Sequence, residues 1–220
     1  MKILIAGGTG LVGREAIRDL VARGGHRIVA LVRRKGSLPD VEEAPLDFED
    51  PAAFDRLVSE VAPDVVLCAL GTTLRKAGCA EAFRQVDLDY PARLMGAVAR
   101  HAPHAVFGLI SSVGADRPKG LYLVVKGQAE AALAHTDLRH VILRPSLLLG
   151  ARSESRPGES LAQALSPAYL ALARCFPKHP GLWRYAPISA GQVGRKLVSA
   201  CLDDPPAAGG RILEGLDLRD

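Results

Sequence analysis

The sequence is short of the features that mark several classes of protein. It has no long apolar run: the N-terminal one breaks at Gly7, so neither a secretory leader nor a membrane span is expected. It has no low-complexity tract and no internal repeat, which argues against arrays and disordered linkers. Cysteine is scarce. Cys68, Cys79, Cys175 and Cys201 fall at no metal or redox spacing, and packing in a reducing cytoplasm is the role expected of them. His101, His104, His135 and His140 also lack a metal spacing, so no metal site is expected. Basic charge is not concentrated: the formal net charge is +4, and the densest run is Arg33-Arg34-Lys35, too short for a nucleic-acid footprint. The expected partner is therefore a small molecule, with no nucleic acid and no membrane, and the expected state is a monomer or homodimer.

What is present is a chain of 220 residues, 48% hydrophobic and 24% charged, enough for one sizeable α/β core. Its first thirteen residues organise the rest. Met1-Lys2-Ile3-Leu4-Ile5-Ala6 reads as a buried strand that empties into Gly7-Gly8-Thr9-Gly10-Leu11-Val12-Gly13 and then into an amphipathic segment. Strand, tight turn and helix in that order are the setting of a dinucleotide-binding turn. Gly7 permits the sharp exit, Gly10 lets backbone N–H groups approach a pyrophosphate, and Gly13 lets the helix lie against the sheet. Thr9, Leu11 and Val12 share the turn and the helix N-terminus that faces the phosphates.

The helix expected over 13–23 places Ile17, Leu20 and Val21 on one face, and Gly24-Gly25 stops it. A second strand over 27–32 is nearly all apolar, as a strand covered on both faces should be. Arg33 and Arg34 stand at its end, about 20 residues beyond the glycines, where an acidic residue suits the ribose hydroxyls of NAD and arginine suits the 2′-phosphate of NADP. Arg14 offers a second contact. Solvated surface charge is the plainer reading of these arginines; NADP is the cofactor preferred.

A third strand over 44–48 would exit past the adenine at Asp47 and Phe48. A helix over 51–60 carries Asp50 as N-cap and Pro51 in its first turn. A fourth strand over 64–70 ends at Leu70 and runs into Gly71-Thr72-Thr73, which should border the cofactor ribose. Asp89 with Tyr90-Pro91 opens a helix to about His101, and strands over 105–110 and 138–143 follow. This alternation gives an α/β fold, a Rossmann-type doubly wound parallel sheet. All 220 residues form one domain, with 150–188 as a substrate-side lid.

The fifth strand exits into Ser111-Ser112-Val113-Gly114, and Tyr122 and Lys126 follow, four residues apart on one helix face. An ammonium beside a phenol favours the phenolate, and a serine hydroxyl can bond a carbonyl oxygen. Together they make an acid for an alkoxide, or a base for the reverse reaction. Such a pair alone means little; its place behind a serine pair, in a chain that opens with a glycine turn, gives it weight.

On these motifs the chain resembles the short-chain dehydrogenase/reductase superfamily over nearly its full length. Ser111 to Asp116, Tyr122 to Gly127 and Ser155-Arg156-Pro157-Gly158-Glu159 are more narrowly similar to an atypical branch, which contains the Tat-interacting-protein-like NADP-binding oxidoreductases. The resemblance implies Tyr122 as general acid/base, Lys126 as nicotinamide-ribose ligand and tuner of Tyr122, and Ser112 as substrate-orienting hydroxyl, ahead of Ser111. It also implies that Arg144-Pro145-Ser146 contacts the nicotinamide amide through its backbone. Two departures stand out. The best-studied branch carries Asn-Asn-Ala-Gly where this chain has Cys68-Ala69-Leu70-Gly71. The relay asparagine falls at Asp87, and a carboxylate cannot donate as an amide does.

Beyond the sixth strand a loop is expected over 150–158 and a helix over 161–176. Leu147, Leu149, Leu165, Tyr169 and Trp183 are candidate lid-lining residues, for which simple packing is the competing role. A last helix over 189–202 and an edge strand over 211–213 complete the expectation. The reading is an NADP(H)-dependent oxidoreductase that transfers hydride to or from a small apolar carbonyl or alcohol. The alternative is a cofactor-binding regulatory protein with little turnover. Nucleotide-sugar epimerase or dehydratase chemistry ranks below both, because it usually uses a larger C-terminal domain than about 70 residues provide.

Overall fold

In a computed structural model of the chain, residues 1–149, 169, 173 and 179–219 are described. The expected loop over 150–158, most of the helix over 161–176, Leu165 and Cys175 lie outside them.

The first strand, β1 (Lys2–Ala6), has its side chains alternating between two faces. Ile3 and Ile5 join one buried core, and Leu4 and Ala6 join the other. That division sets the architecture, because a strand apolar on both faces must be covered on both. β1 pairs in parallel with β2 (Arg27–Val32) on one side and β4 (Val65–Cys68) on the other. β3 (Glu42–Pro45) lies outside β2. β5 (Val106–Ile110), β6 (Arg139–Arg144) and β9 (Gly210–Glu214) extend the sheet beyond β4, giving the order β3-β2-β1-β4-β5-β6-β9, all parallel. The order reverses between β1 and β4, and ligands bind such a sheet at the carboxyl ends beside that switch point.

One face carries α1 (Leu11–Arg23) and α8 (Ala190–Leu202), packed on each other and on the sheet through Ile17, Leu20, Val193 and Leu197. The other face carries α2 (Pro51–Val61), α5 (Tyr90–His101) and α6 (Gly120–Ala134), with Phe54, Leu94, Met95 and Leu133 in its core. Asp50 caps α2 by accepting from the Ala52 N–H, and Ser189 with Gln192 forms a capping box on α8, as their sequences suit. Between the layers' ends lie α3 (Leu74–Ala77), α4 (Ala80–Arg84), α7 (Pro180–Tyr185) and a small second sheet of β7 (Leu148–Leu149) and β8 (Ile188–Ser189).

Three expectations shift. β3 ends at Pro45; Leu46 adds one bond to the Val32 carbonyl, and Asp47 Oδ1 then accepts the Glu49 N–H and turns the chain. Val21 is 44% exposed, while Gly13, Ala16, Ile17 and Leu20 form the buried stripe. Helix α5 does not begin afresh at Asp89: α4 runs into it through a single π turn over Gln85–Asp89. The β7–β8 pair was not anticipated.

The glycine turn is a packing device before it is a ligand site. Gly7 has φ +83°, and a Cβ on it would lie 2.4 Å from the Ala69 carbonyl carbon, beyond β4. A Cβ on Gly13 would lie 2.2 Å from the Gly7 carbonyl oxygen. The first turn of α1 thus rests directly on the strand exit. Gly13→Ala should cost about 1–3 kcal/mol of stability through overpacking and weaken dinucleotide binding on the order of tenfold. Denaturant unfolding and cofactor titration of the same variant check both.

Candidate active site

The switch-point crevice has two ends, one bounded by β3 and α5, the other by β5 and α6. The glycine turn lies between them. Gly10 donates its N–H to the Gly7 carbonyl at 2.9 Å, and the first helical bond runs from the Arg14 N–H to the Gly10 carbonyl. As N-cap, Gly10 brings no side chain, and the first turn of α1 contains no carboxylate. Its leading N–H groups therefore have no side-chain partner, and a pyrophosphate is the kind of anion such a helix start accommodates. Thr9 is fixed by its carbonyl, which accepts from Arg14 Nε at 3.0 Å.

At the β3 end lies a cavity of about 650 Å³ lined by Arg33, Leu46, Asp47, Phe48, Glu49, Gln85 and Tyr90 among others. Phe48 is buried against Phe54 and Tyr90, with ring centroids 5.7 and 5.1 Å away. The Arg33 guanidinium lies 6.0 Å from the Phe48 centroid, a cation–π distance. Arg93 Nη1 donates to the Phe48 carbonyl at 2.6 Å. On the cavity wall the Glu49 carboxylate accepts from the Tyr90 hydroxyl and twice from Gln85 Nε2, at 3.0 and 2.9 Å. Burial, and then the hydrogen bond to Glu49, push the Tyr90 phenol up to about 12.

Gln85 and Tyr90 reach one carboxylate because of the π turn. In a regular α-helix, residues five apart differ by about 140° around the axis. Here the Tyr90 N–H bonds the Gln85 carbonyl, and the wider turn aligns the two. A 3.6-residue periodicity conceals such a pair, which is why Glu49, Gln85 and Tyr90 escaped the sequence reading. Single π turns inside α-helices are often found at functional sites.

Asp87, in the same turn, serves the opposite end. Its Oδ1 lies 2.8 Å from Lys126 Nζ, and its Oδ2 accepts the Thr72 N–H at 2.8 Å. Both side chains are almost wholly buried. Burial alone would pull the Lys126 ammonium down, but the charge of Asp87 and the neighbouring Tyr122 outweigh it and hold the group above its ordinary value. Gly71 passes over the pair, so that a Cβ there would stand 3.4 Å from Asp87 Oδ1 and 3.7 Å from Lys126 Nζ. Lys126 Nζ also reaches the Ile110 carbonyl at 3.5 Å, which ties α6 to the end of β5.

Tyr122 sits one turn before Lys126, 38% exposed, with its ring 5.7 Å from buried Phe83. Below it Phe83, Leu88, Val125 and Ala129 form a small core of their own. The two serines are sorted by their partners. Ser111 is buried and donates to Glu130, whose carboxylate also takes Arg144 Nε at 2.9 Å and Nη2 at 2.5 Å. Ser112 stays outside that network, its Oγ no nearer than 3.4 Å to the Val113 carbonyl. Pro145 accepts the Val113 N–H at 3.0 Å, and Ser146 Oγ donates to the Ala186 carbonyl at 2.5 Å.

The structure thus brings Gly7, Thr9, Gly10, Leu11, Val12 and Gly13 together at the turn, with Leu70, Gly71 and Thr72 on the opposite bank after β4. Arg33, Asp47 and Phe48 stand at one end of the crevice, Ser112, Tyr122 and Lys126 at the other. Arg34 is exposed beside Arg33. Of the lid candidates, Tyr169 donates its hydroxyl to the Leu182 carbonyl at 2.9 Å, and Trp183 lies under the Arg219 guanidinium at 5.3 Å. Among the described residues no group of side chains could hold a metal ion, and no helix is long and apolar enough to cross a membrane. Cys68 and Cys201 are buried free thiols, and Cys79 is an exposed one.

The sequence pattern of the NAD(P)H-binding family matches residues 7–163. The chain belongs to that family. Among curated proteins it is similar to Protein HTATIP2 of Rattus norvegicus, 36% identical over 74% of this chain and 69% of that one. It is also similar to the mitochondrial Protein FMP52 of Candida albicans, 33% identical over 75% of each chain. These relatives place it in an atypical branch of short-chain dehydrogenase/reductase-like proteins. Among solved structures, UDP-glucose 4-epimerase of Thermus thermophilus in complex with NAD superposes with TM-score 0.72 at 20% identity, over 97% of this chain and 78% of that one. The enzyme WbmH of Bordetella bronchiseptica in complex with NAD+ gives 0.69 at 16% identity, over 97% and 75%. At such identities the likeness is one of fold: a Rossmann sheet shared by NAD-binding epimerases and reductases.

Three variants read out the buried chemistry. Asp87→Ala should cost about 3–5 kcal/mol in denaturant unfolding, because it strands a buried ammonium, and Asp87→Leu with Lys126→Met should recover much of the loss. Since Lys126 is held above its ordinary value, its contribution is intact through neutral pH and fades only as pH rises through the folded value. In a phenolate absorbance titration Tyr90 should ionise at about 12, and Tyr90→Phe should remove that late step. Unfolded tyrosine ionises near about 10, so the Tyr90 contribution to stability is whole below that pH and falls above it.

Proposed function

We propose that the protein is an NADP(H)-dependent oxidoreductase that reduces a small apolar carbonyl, or oxidises the corresponding alcohol. The observation that carries the reading is the joint geometry of the crevice: an uncapped helix start on a glycine turn, arginines at the β3 end, and Tyr122 with Lys126 at the other. The residues present fit a dinucleotide. The cradle formed by Gly7, Gly10 and Gly13 is one that a Cβ would fill, and the N–H groups above it suit a pyrophosphate. Leu46, Asp47 and Phe48 would flank the adenine, and Gly71 and Thr72 the second ribose. Among the described residues no carboxylate pairs with Arg33 or Arg34, which leaves both guanidinium groups for a 2′-phosphate. When bound, the reduced nicotinamide supplies the hydride.

The chain's own residues then handle the oxygen and its proton. Ser112, outside the Glu130 network, offers its hydroxyl to the substrate oxygen. Tyr122 gives that oxygen its proton as negative charge develops there, and takes it back in the oxidation. Lys126 stabilises the phenolate left behind by its charge. Asp87 keeps the ammonium in place beneath Tyr122. The half-exposed apolar residues Leu121 and Val124, beside Tyr122 in sequence and on the same helix, support an apolar substrate. The buried free thiols suit a reducing cytoplasm.

The second reading keeps the fold and cofactor but removes turnover: a regulatory protein whose partner affinity follows NADP(H) occupancy. Asp87 in place of the relay asparagine favours it, because that carboxylate is already committed to Lys126 and Thr72.

Titration with NADPH and NADH should show tighter NADPH binding, and Arg33→Ala should erase at least about tenfold of the difference; tighter NADH binding by the wild type contradicts the NADP assignment. With a panel of small apolar aldehydes and ketones, Tyr122→Phe should lower kcat by about 10²–10⁴ while leaving cofactor affinity intact. Equal NADPH consumption by both proteins removes Tyr122 from the chemistry, and no consumption by either favours the regulatory reading.

A further inference from the structure

The loop that follows Arg33-Arg34-Lys35 is held by one side chain. Glu43, half-buried on β3, accepts three consecutive backbone N–H groups: Gly36 at 2.5 Å, Ser37 at 2.8 Å and Leu38 at 2.6 Å. Gly36 makes this possible with φ +97°, a conformation that a side chain would resist. The resulting concavity of N–H groups is an anion nest, and the anion in it is the protein's own carboxylate. The N–H of Gly36, with those of Leu38 and Ser37, holds the Glu43 carboxyl below the usual range against the effect of burial.

The far side of the loop reaches the phosphate turn. Leu38 is 8% exposed and belongs to the core that contains Ile17 of α1. Its Cδ1 would stand 3.0 Å from a Cβ built on Gly8, so the side chain lies directly on the glycine turn. Glu43 therefore connects β3 to the first turn of the cofactor crevice through three residues. The segment that leads into them, Arg33 to Lys35, carries the charges assigned above to the 2′-phosphate.

We infer that Glu43 is a positioning residue for cofactor choice: its clasp on Gly36–Leu38 fixes the loop beside the adenosine ribose so that Arg33 and Arg34 present their charge to a 2′-phosphate. The inference rests on the NADP reading above. Its sign runs against simple electrostatics. Glu43 is an anion near the site of another anion, so removing its charge alone should tighten NADPH binding. Losing the clasp lets the loop and its arginines wander, and the entropy of ordering them falls on binding, so NADPH binding should weaken.

The experiment is calorimetric titration of 2′,5′-ADP and 5′-AMP against the wild type, Glu43→Ala and Glu43→Gln. The expected result is that Glu43→Ala weakens 2′,5′-ADP on the order of tenfold and leaves 5′-AMP within about twofold. Glu43→Gln keeps an acceptor oxygen for the nest and should restore most of the lost affinity. Unchanged or tighter 2′,5′-ADP binding by Glu43→Ala overturns the inference, as does equal weakening of both ligands, which a merely structural role would give. A wild type that binds 5′-AMP at least as well as 2′,5′-ADP overturns the NADP reading itself, whatever the variants do.

Discussion

A charged lysine in a nearly dry site is the constraint on which this crevice is arranged. Lys126 cannot stay ionised under α6 without a compensating charge, since the desolvation of an ammonium costs several kcal/mol. Asp87 supplies that charge, and placing it has consequences along the chain. The carboxylate must enter from the neighbouring helix, so the segment from α4 to α5 widens into a π turn at that point. Its second oxygen takes the Thr72 N–H and fixes the exit of β4. Gly71 passes beside the pair, where a Cβ would stand 3.4 Å from Asp87 Oδ1. One ion pair thus ties together the π turn, the exit of β4 and α6.

The same turn sets the other end. Gln85 and Tyr90 converge on Glu49 through the i→i+5 bond, while Asp87 between them looks toward α6. Side chains at both ends of the crevice are consequently placed by one short stretch of helix.

The sheet was legible because its strands are buried on both faces and stand between turn signals. β1, β2, β5 and β6 are near-continuous apolar runs, and the glycines after β1 mark the crossover. β3 was misplaced by two residues at its start and three at its end because its sequence, Glu42–Pro45, carries charge on an edge strand where the hydrophobic pattern is weak. The stretch from α3 through α4 was missed for a related reason: it is polar, short, and ends in a turn whose period is not 3.6. Tyr122, Lys126, Ser112 and the glycine turn are singled out by spacing and by order along the chain. The Asp87–Lys126 contact and the Glu49 cluster join residues far apart in sequence or off the helical period, and the Glu43 clasp depends on a loop conformation. No local pattern announces them.

The two serines show what geometry adds to a motif. In the sequence Ser111 and Ser112 are equivalent neighbours, separated only by analogy. In the fold Ser111 points into a buried system of Glu130 and Arg144, and Arg144 extends it toward Asp116, Arg184 and Glu214 at 3.9 Å or less. That system ties β6 to β9 and to α7, so Ser111 belongs to the scaffold that holds the C-terminal segment against the sheet. A hydroxyl so committed could bind substrate only by leaving a buried carboxylate short of a donor, at a cost of about 1–3 kcal/mol. Ser112, one residue on, carries no such obligation. Of the two adjacent hydroxyls the scaffold claims Ser111, and Ser112 has no side-chain partner among the described residues.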